Sequence, residues 1–379
     1  MSGASVAIRL NPFKGCKGPE GAPVPWSPYG RILAERPSFT LDPLLHAGAY
    51  YVQDSSAMYV GHVFRKLLPA GLEHPVVLDL CAAPGGKTTD IAASLREACG
   101  GDFLLVANEV MRQRARALDD NVARWGDPCV AVTSVDPAAF AGMAGAFDVI
   151  VADVPCSGEG MFRKDERARE EWSPDVVRLC AARQKRILSD MWPALREGGL
   201  LIYSTCTFEE AENDDNLEWA ALTLGGEIVP PELEFPELTS LTRHGVRLDI
   251  GLGEGQWVGA LVKSGSDRRQ DPARVKSALA RLHPMRLDPP HGETKGKDFI
   301  PSPDWALSLD FERGAYPEAE VDLQTALHYL HRDAIQLPGA PLGYNVITFE
   351  GLPLGFVKNL GSRCNNLLPP GRRILMDVA

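Results

Sequence analysis

Short apolar segments alternate with amphipathic segments along the middle of the chain. The apolar runs lie at 76–80, 103–107, 129–133, 147–152, 200–204 and 257–262. Segments with helical periodicity lie at 88–99, 111–125, 173–195 and 209–224. Strands that are apolar on both faces and alternate with helices are typical of a parallel sheet with helices on both sides. The pattern therefore predicts a doubly wound α/β domain.

The segments on either side of this pattern have a different composition. Residues 1–45 are rich in proline and glycine, with one strand predicted at Val6–Leu10, and residues 264–297 are basic and contain prolines. Beyond them, the pattern predicts a helix near Leu323–Leu330 followed by two short strands. We divide the chain into an amino-terminal extension, a sheet domain, a basic linker and a carboxyl-terminal module, at 1–60, 61–264, 265–299 and 300–379.

The composition is that of an ordinary globular protein. Hydrophobic residues make up 45% of the 379 residues and charged residues 23%, which argues against a disordered chain. No apolar run approaches the roughly 20 residues that span a bilayer. The first residues also lack the basic and apolar regions of a signal peptide. We therefore expect a cytoplasmic protein that does not bind membranes.

The net charge of −11 argues mildly against a nucleic-acid partner, because the surface that binds nucleic acid is usually basic. The distribution of charge changes this picture. Residues 263–297 carry nine Lys or Arg and four Asp or Glu, and residues 355–379 carry four and one. The chain is therefore compatible with RNA. The candidate RNA contacts in the two tracts are Arg268, Arg269, Arg274, Lys276, Lys358, Arg363, Arg372 and Arg373.

The eight cysteines do not form a recognisable framework. They stand at positions 16, 81, 99, 129, 156, 180, 206 and 364. No two of them have the C-x-x-C spacing, so we predict neither a zinc site nor a set of disulfides. The remaining interpretations are buried thiols and reactive thiols.

The strongest local signal is the strand at 76–80 with the loop and helix that follow it. The loop reads Cys81-Ala82-Ala83-Pro84-Gly85-Gly86, and Lys87-Thr88 comes next. A phosphate-binding loop requires a glycine where Cys81 stands, and a dinucleotide fingerprint requires G-x-G-x-x-G. S-adenosylmethionine requires only a bent loop with acidic residues nearby, so it fits this loop best. Carboxylates end or follow four successive strands at one predicted sheet edge, at Asp79, Glu109, Asp136 and Asp153.

Two of these carboxylates have predicted roles toward such a cofactor. Glu109 ends the second strand, where its carboxylate can accept hydrogen bonds from two ribose hydroxyls. Asp136 follows the third strand, near the expected position of the adenine. Helix capping explains any single carboxylate of the four but explains the set poorly.

Two cysteines follow neighbouring strands at the same edge. Cys156 and Cys206 come directly after the strands at 147–152 and 200–204, so both can face one pocket. Addition of a thiolate to carbon 6 of cytosine makes carbon 5 nucleophilic enough to accept a methyl group from a sulfonium. Asp153 can contact the N3/N4 edge of the ring, and Lys87 can lower the pKa of a cysteine or orient Asp153. The base must leave its stack to enter such a pocket.

Three motifs resemble those of a known family. Val77–Thr88, Asp153–Gly160 and Tyr203–Thr207 look like the signatures of the Nol/Nop/Sun-type RNA (cytosine-5-)methyltransferases. The segment at 48–58 is similar to the one that precedes their catalytic domain. The segment at 352–373 is similar to the carboxyl-terminal module of the RsmF-like 16S rRNA methyltransferases.

The resemblance implies a fold and an activity. The fold is a seven-stranded, Rossmann-like methyltransferase sheet with an RNA-recognition extension before it and a small PUA-like RNA-binding module after it. The activity is S-adenosylmethionine-dependent methylation of carbon 5 of cytosine in RNA. The implied partner is 16S rRNA or the small ribosomal subunit, and the implied state is a monomer. No metal is implied.

The resemblance also assigns the site residues. It makes Cys206 the nucleophile and Cys156 the group that assists product release. Analogy with DNA cytosine-5 methyltransferases, whose nucleophile follows a proline, would instead select Cys156, and the residues alone do not decide. Asp153 and Lys87 complete the catalytic set. The implied cofactor contacts are Cys81, Ala82, Ala83, Pro84, Gly85, Gly86, Lys87, Glu109, Asp136 and Asp153.

The sequence departs from the family pattern in two places. It begins almost at the strand at 6–10, where relatives have a longer helical piece, so we expect part of the amino-terminal RNA surface to be absent or supplied elsewhere. Residues 247–251 stand where relatives often have a Pro-His pair, and Gly255-Gln256-Trp257 stands in place of their Gly-Phe-Phe strand. Both departures affect substrate recognition rather than the chemistry.

Three alternative functions stay open at this point. The first is methylation of cytosine in tRNA. The second treats Asp-Val-Pro-Cys as a variant of the Asp-Pro-Pro-Tyr motif of amino-group methyltransferases, but this leaves Cys206 without a role and provides no aromatic ring at 156. The third is a non-catalytic ribosome-assembly factor that binds RNA, and the presence of both Cys156 and Cys206 argues against it.

Overall fold

The amino-terminal segment folds into a four-stranded antiparallel sheet. In the computed structural model, residues 6–15, 18–162, 166–266 and 269–378 are described. The elements are β1 (Val6–Leu10), β2 (Ala22–Val24), β3 (Ser27–Leu33), α1 (Pro43–His46) and β4 (Tyr50–Val52). The strand order is β2-β3-β1-β4. The strand predicted at Val6–Leu10 is confirmed with the same bounds.

A mixed sheet forms the centre of the molecule. Its strands are β5 (Val76–Asp79), β6 (Leu104–Asn108), β7 (Val130–Thr133), β8 (Phe147–Asp153), β9 (Leu195–Thr205), β10 (Gly226–Ile228), β11 (Thr239–Leu241), β12 (Gly245–Leu248) and β13 (Gln256–Lys263). The order is β11-β12-β13-β9-β8-β5-β6-β7, with β10 also paired to β13. Strands β5 to β9 are parallel and β10 to β13 antiparallel.

The predicted doubly wound α/β sheet is confirmed, and it has nine strands among the described residues rather than seven. The two additional strands, β10 and β11, have three residues each and lie toward the β13 side of the sheet. Strands this short carry too few residues for an alternating pattern to show in the sequence.

Helices cover both faces of this sheet. They are α2 (Tyr59–Leu67), α3 (Gly86–Cys99), α4 (Arg112–Trp125), α5 (Glu166–Glu171), α6 (Pro174–Met191), α7 (Asp214–Ala220) and α8 (Pro272–Ala280). One hydrophobic core joins the sheet to α2, α3 and α4, and a second joins it to α6, α7 and α8. A turn at Ala221–Gly225 extends α7.

Local chemistry explains where α6 begins and ends. Ser173 caps the helix by accepting a hydrogen bond from the Val176 amide, and Pro174 occupies its first position. The predicted helix extended to residue 195, but Pro193 follows Met191 closely and ends the helix earlier. The strand after it is correspondingly longer than predicted, because Leu195 already belongs to β9.

The segment predicted to be a basic linker is folded onto the sheet domain. Within 265–299, the side chains of Val275 and Leu279 on α8 are fully buried in the second core. Arg269 forms an ion pair with Asp148 at 2.7 Å. Arg286 pairs with two carboxylates, which are Asp119 and Asp304, both at 2.6 Å. Apolar burial and ion pairing therefore hold this stretch in place, in contrast to an extended linker.

The carboxyl-terminal module is a small α+β unit. Its elements are β14 (Gly292–Lys295), β15 (Asp298–Pro301), β16 (Glu318–Glu320), α9 (Leu323–His331), β17 (Gly343–Phe349), β18 (Leu352–Asn359) and β19 (Cys364–Asn366). Strands β14 and β15 pair with each other, and the four later strands form a sheet in the order β16-β17-β18-β19. The predicted helix and the two predicted strands are confirmed as α9, β17 and β18.

The two ends of the chain share one hydrophobic core. Ile8 and Tyr50 of the amino-terminal sheet belong to the same buried cluster as Leu330 and Leu354 of the module. The amino-terminal sheet and the carboxyl-terminal module therefore behave as a single packed body beside the central sheet.

No helix in the described ranges is long and apolar enough to cross a membrane. The same ranges contain no group of three or more His, Cys, Asp or Glu side chains placed to hold a metal ion.

Candidate active site

The carboxyl ends of β5, β8 and β9 bring the predicted site residues together. In the sheet register, Asp79 lies opposite Val151, and Asp153 lies opposite Ser204. The chain leaves β8 and β9 at this edge through the loops that carry Cys156 and Cys206. The two sulfur atoms are 3.0 Å apart although the residues are 50 positions apart in the sequence.

The loop after β5 is bent by hydrogen bonds to the neighbouring strands. The Ala82 amide donates to the carbonyl of Asn108 at 2.8 Å, which holds the loop against the end of β6. The Gly85 amide donates to the Ala82 carbonyl at 2.8 Å, which closes the turn. Gly85 has φ of +111°, a conformation that favours glycine. Helix α3 then starts at Gly86, so its amino-terminal end faces the site.

Asp79 ends β5 just before this loop, and Cys81 is the first residue of the loop. Asp79 is fully buried and accepts a hydrogen bond from the Thr88 hydroxyl at 2.6 Å. Burial raises the pKa of Asp79 to about 7. Its second oxygen, Oδ1, has no hydrogen-bond partner among the described residues. Burial raises the pKa of Cys81 well above its usual range, so it stays a neutral thiol.

Glu109 and Asp136 are placed differently from each other. The Glu109 carboxylate is 4% exposed, accepts from the Met111 amide at 2.9 Å and lies 3.3 Å from the Arg114 guanidinium. Asp136 has a half-exposed side chain and caps the short 3-10 helix Pro137–Gly142 by accepting from the Ala138 amide. Glu109 therefore presents a fixed carboxylate beside the loop, whereas Asp136 serves at least as a helix cap.

The pKa values of the two thiols are shifted in opposite directions. The hydrogen bond with Cys156 lowers the pKa of Cys206 and outweighs the effect of burial, while the Asp153 carboxylate raises it and the Lys87 ammonium lowers it. The same hydrogen bond raises the pKa of Cys156, and burial and the nearby Glu212 carboxylate raise it more. Cys206 is therefore the thiol of the pair that ionises more readily, with Cys156 as its hydrogen-bond donor.

Asp153 is held by three side-chain donors. Lys87 Nζ contacts Oδ2 at 2.8 Å, and Ser204 Oγ and Gln256 Nε2 donate to Oδ1 at 2.7 and 3.0 Å. Asp153 raises the pKa of Lys87 against the opposing effect of burial, so the ammonium stays charged. Ser204 and Gln256 are absent from the predicted site. Ser204 lies within the Tyr203–Thr207 motif, whereas the sequence gives no signal for Gln256.

A second layer of polar side chains fixes the two cysteine loops. Glu212 is fully buried, accepts from the Ser157 amide at 3.1 Å and from Gln184 Nε2 at 2.7 Å. Glu159 accepts from the Thr207 hydroxyl at 2.9 Å and from the Phe208 amide. These residues were also missed, because an acidic residue in a charged stretch looks like a solvated surface residue in the sequence.

The predicted RNA contacts around α8 have their own partners in the structure. Arg269 is paired with Asp148, and Lys276 lies 2.6 Å from Asp288. Arg274 is exposed. Arg268 lies outside the described residues. The positive charge of this tract is therefore partly neutralised by carboxylates of the same chain.

The predicted contacts in the module fall into two groups. Arg363 and Arg373 are exposed, and Lys358 lies 3.5 Å from Asp298 and over the ring of Tyr344. Arg372 is different. Its side chain is 7% exposed and pairs with Asp120 and Asp304, so the expectation of an RNA contact at Arg372 is wrong. Two carboxylates from elements distant in sequence outcompete solvent for this guanidinium.

Comparison with known protein families gives two matches. The model of the 16S rRNA methyltransferase RsmB/F family matches residues 67–223. The model of the methyltransferase RsmF PUA domain matches residues 316–374. The first covers the loop after β5 and both cysteines, and the second covers most of the carboxyl-terminal module.

Similar proteins cover nearly the whole chain. Ribosomal RNA small subunit methyltransferase F of Klebsiella pneumoniae is 38% identical, over 94% of this chain and 85% of that protein. The protein of the same name from Cronobacter sakazakii is 34% identical, over 98% of this chain and 89% of that protein.

Solved structures have a similar fold. A methyltransferase homolog protein from Pyrococcus horikoshii is 27% identical and superposes with a TM-score of 0.57, over 69% of this chain and 87% of its own. The structure of NSun6 from Pyrococcus horikoshii with SFG is 24% identical, with a TM-score of 0.51 over 61% of this chain and 57% of its own.

Proposed function

The chain belongs to the family of ribosomal RNA small subunit methyltransferase F, and from this premise we propose how its two cysteines divide the reaction. The activity of the family is S-adenosylmethionine-dependent methylation of carbon 5 of cytosine in 16S rRNA. S-adenosylmethionine, when bound, supplies an electrophilic methyl group on sulfur. The roles of this chain's residues are the proposal.

Cys206 acts as the nucleophile in this proposal. Its thiolate forms a bond to carbon 6 of the cytosine, and the electron pair displaced from the 5,6 double bond makes carbon 5 nucleophilic. After carbon 5 has taken the methyl group, a base removes the proton on carbon 5, the double bond forms again and the Cys206 thiolate leaves. Asp153 faces the N3/N4 edge of the ring and holds it over the thiolate.

One observation supports this division of roles more than any other. The two thiols are 3.0 Å apart, and the hydrogen bond between them lowers the pKa of Cys206 and raises that of Cys156, which the Glu212 carboxylate raises further. Negative charge is therefore stabilised on Cys206 and disfavoured on Cys156. Cys156 remains protonated beside it and is placed to assist the release of the methylated base.

The described residues fit the proposed cofactor. The unpartnered Oδ1 of buried Asp79 requires a donor, and the amino group of the methionine portion is such a donor. Glu109 presents a fixed carboxylate for the ribose hydroxyls, and the bent loop Cys81–Lys87 leaves backbone groups facing the site. Asp136, already used as a cap, is the more peripheral of the proposed contacts.

A covalent trap tests the assignment. If Cys206 attacks and Cys156 assists release, Cys156→Ala should accumulate a protein–RNA adduct that survives denaturation and disappears with RNase. Cys206→Ala should form none, and Cys99→Ala, a partly exposed thiol on α3, should behave like the unaltered enzyme. An adduct with Cys206→Ala but not with Cys156→Ala would reverse the two roles.

Four wider features complete the proposal. The enzyme is a cytoplasmic monomer, and it acts on 16S rRNA either free or within the small ribosomal subunit. The units are an RNA-recognition extension at 1–60, a catalytic domain at 61–264, a connecting segment at 265–299 and an RNA-binding module at 300–379. The PUA-domain match supports RNA binding by the last of these.

A further inference from the structure

A cleft lies where the amino-terminal sheet, the loop after β5 and helix α4 meet. Its volume is about 310 Å³, and its lining includes Leu45, Tyr50, Tyr51, Asn121, Arg124 and Trp125. Pro84 also lines the cleft, so one wall is the outer side of the proposed cofactor loop. Nothing in the reaction described above uses this space.

Arg124 brings a positive charge without a carboxylate partner into the cleft. Within the described ranges, its guanidinium forms no ion pair, and its hydrogen bond runs to the amide oxygen of Asn121 at 3.1 Å. Burial lowers the pKa of Arg124, and the neighbouring Arg372 guanidinium lowers it further. Asp120 offsets these effects only in part, because it is paired with Arg372 at 2.6 Å. An anionic group in the cleft would relieve this cost.

Tyr51 is the partly exposed aromatic ring in the wall of the cleft. Tyr50 and Trp125 also line it, but each is only 2% exposed, and the indole N–H of Trp125 has no acceptor among the described residues. The Tyr51 hydroxyl donates to the Pro84 carbonyl at 3.1 Å, and the Arg9 guanidinium lies 4.6 Å from the centre of the Trp125 ring. The rings are therefore held before any ligand arrives.

An unpaired guanidinium beside aromatic rings is the combination that binds unstacked nucleotides. Arginine neutralises the phosphate, and aromatic faces stack on a base without selecting its identity. We propose that this cleft binds one unstacked nucleotide of the RNA substrate, distinct from the target cytosine, with its base on the ring of Tyr51 and its phosphate at Arg124. This inference rests on the proposed function, because it assumes an RNA substrate.

The position of the cleft gives its ligand a connection to the cofactor loop. Asn121 Nδ2 donates to the Pro84 carbonyl at 2.8 Å, and Tyr51 donates to the same oxygen. A nucleotide that contacts Asn121 and Tyr51 therefore contacts the two side chains that hold the outer side of the loop.

The test compares two arginines on the same helix. Arg124→Gln removes the charge in the cleft, and Arg116→Gln removes an exposed charge two turns earlier on α4. With a protein-free 16S rRNA transcript, Arg124→Gln should weaken binding about tenfold or more. It should also reduce the slope of log affinity against log salt by roughly 0.7, the value for one phosphate of a single strand. Arg116→Gln should change the RNA affinity and the salt slope less than Arg124→Gln does. Calorimetry should give an unchanged S-adenosylmethionine affinity for both variants.

A second variant covers the case in which Arg124→Gln disturbs the fold. Leu45→Trp fills the cleft from α1 without removing the charge of Arg124, so it should weaken RNA binding and also reduce the salt slope, because the phosphate can no longer reach Arg124. In addition, 4-thiouridine in the transcript should crosslink to the peptide that contains Tyr51. Unchanged RNA affinity in both variants would overturn the proposal, and so would equal losses in Arg124→Gln and Arg116→Gln.

Two further outcomes separate the alternatives. If free cytidine or adenosine monophosphate binds the cleft as tightly as the transcript, it is a mononucleotide site and the proposal is wrong. If Arg124→Gln weakens binding only of small-subunit ribosomal proteins, the cleft is a protein site and the proposal is wrong. The Cys156→Ala adduct is measured with the same transcript. If Cys156→Ala forms the adduct but Arg124→Gln binds the transcript with unchanged affinity, only the cleft proposal is refuted. If Cys156→Ala forms no adduct but Arg124→Gln binds the transcript more weakly, only the cysteine roles are refuted.

Discussion

The orientation of Asp153 depends in part on Gln256, a residue outside the predicted site. Gln256 is 2% exposed and donates to Asp153 Oδ1 at 3.0 Å, beside the Ser204 hydroxyl. Gln256→Leu keeps the shape of the side chain and removes this donor. Lys87 still holds the other oxygen at 2.8 Å, so the carboxylate loses part of its fixed orientation rather than its charge.

The size of the effect follows from the geometry. A hydrogen bond to a charged group contributes about 1.5–3 kcal/mol. The Asp153 side chain is 27% exposed, so water can replace part of what is lost, and the lower value applies. About 1.5 kcal/mol corresponds to roughly a tenfold lower rate of methyl transfer. Ser204→Ala, which removes the other donor to the same oxygen, should have an effect of similar size.

Single-turnover methyl transfer at saturating S-adenosylmethionine measures this effect. The double variant Ser204→Ala/Gln256→Leu leaves Oδ1 without either donor, so its loss should exceed the product of the two single losses. Calorimetry should give an unchanged S-adenosylmethionine affinity in all three variants. A Gln256→Leu enzyme with the original rate, or one whose lower rate is matched by weaker cofactor binding, would show that Gln256 does not act through Asp153.

Three further predictions concern the cofactor, the thiols and the module. Glu109→Ala should weaken S-adenosylmethionine binding about ten- to 150-fold by calorimetry, because a charge-assisted acceptor is lost; unchanged affinity would remove Glu109 from the site. Iodoacetamide should alkylate Cys206 at lower pH than Cys156, because the pKa of Cys206 is lowered and that of Cys156 raised; the reverse order would contradict the charge assignment. Asp304→Asn should reduce the free energy of unfolding by about 3 kcal/mol, near the low end for breaking a buried ion pair, since Arg286 and Arg372 keep Asp119 and Asp120. Burial alone would raise the pKa of Asp304, but the two arginines lower it, so this stabilisation is present at neutral pH and is lost as the pH falls through the folded-state pKa. Unfolding titrations that show the same loss of stability toward acid pH in Asp304→Asn would exclude this residue as the cause.

The central sheet could be predicted because its pattern is local. The strand at Val76–Asp79 is apolar on both faces, and the helix at 174–191 begins at a Ser-Pro pair that is both a cap and a first residue. The proximity of Cys156 and Cys206 followed from parallel topology alone, because the carboxyl ends of adjacent parallel strands meet at one edge.

The features that were missed depend on long-range pairing of charges. The tract around α8 looks basic because its lysines and arginines are close in sequence, but the Asp148 that pairs with Arg269 is 121 positions away. Arg372 and Asp120 are 252 positions apart. The buried residues Val275 and Leu279 are only four positions apart, but the polar residues around them obscure the hydrophobic pattern of the helix. Local charge therefore overestimated how much of each tract is free to bind RNA.

These pairs also decide how the module can select RNA. A flexible linker would let the module reach many sites around the cysteines, whereas the structure fixes its position relative to α4 in two ways. Arg372 of the module is paired with Asp120 of α4, and the amino-terminal sheet that shares the module's core is pressed against the end of the same helix. There, Asn11 Nδ2 donates to the carbonyls of Gly48 and Trp125, and a Cβ atom at Gly48 would lie 1.8 Å from the Arg124 carbonyl oxygen. The RNA bound by the module must therefore present its target cytosine at a set distance, so selection of the cytosine depends on RNA shape as well as on the contacts in the pocket.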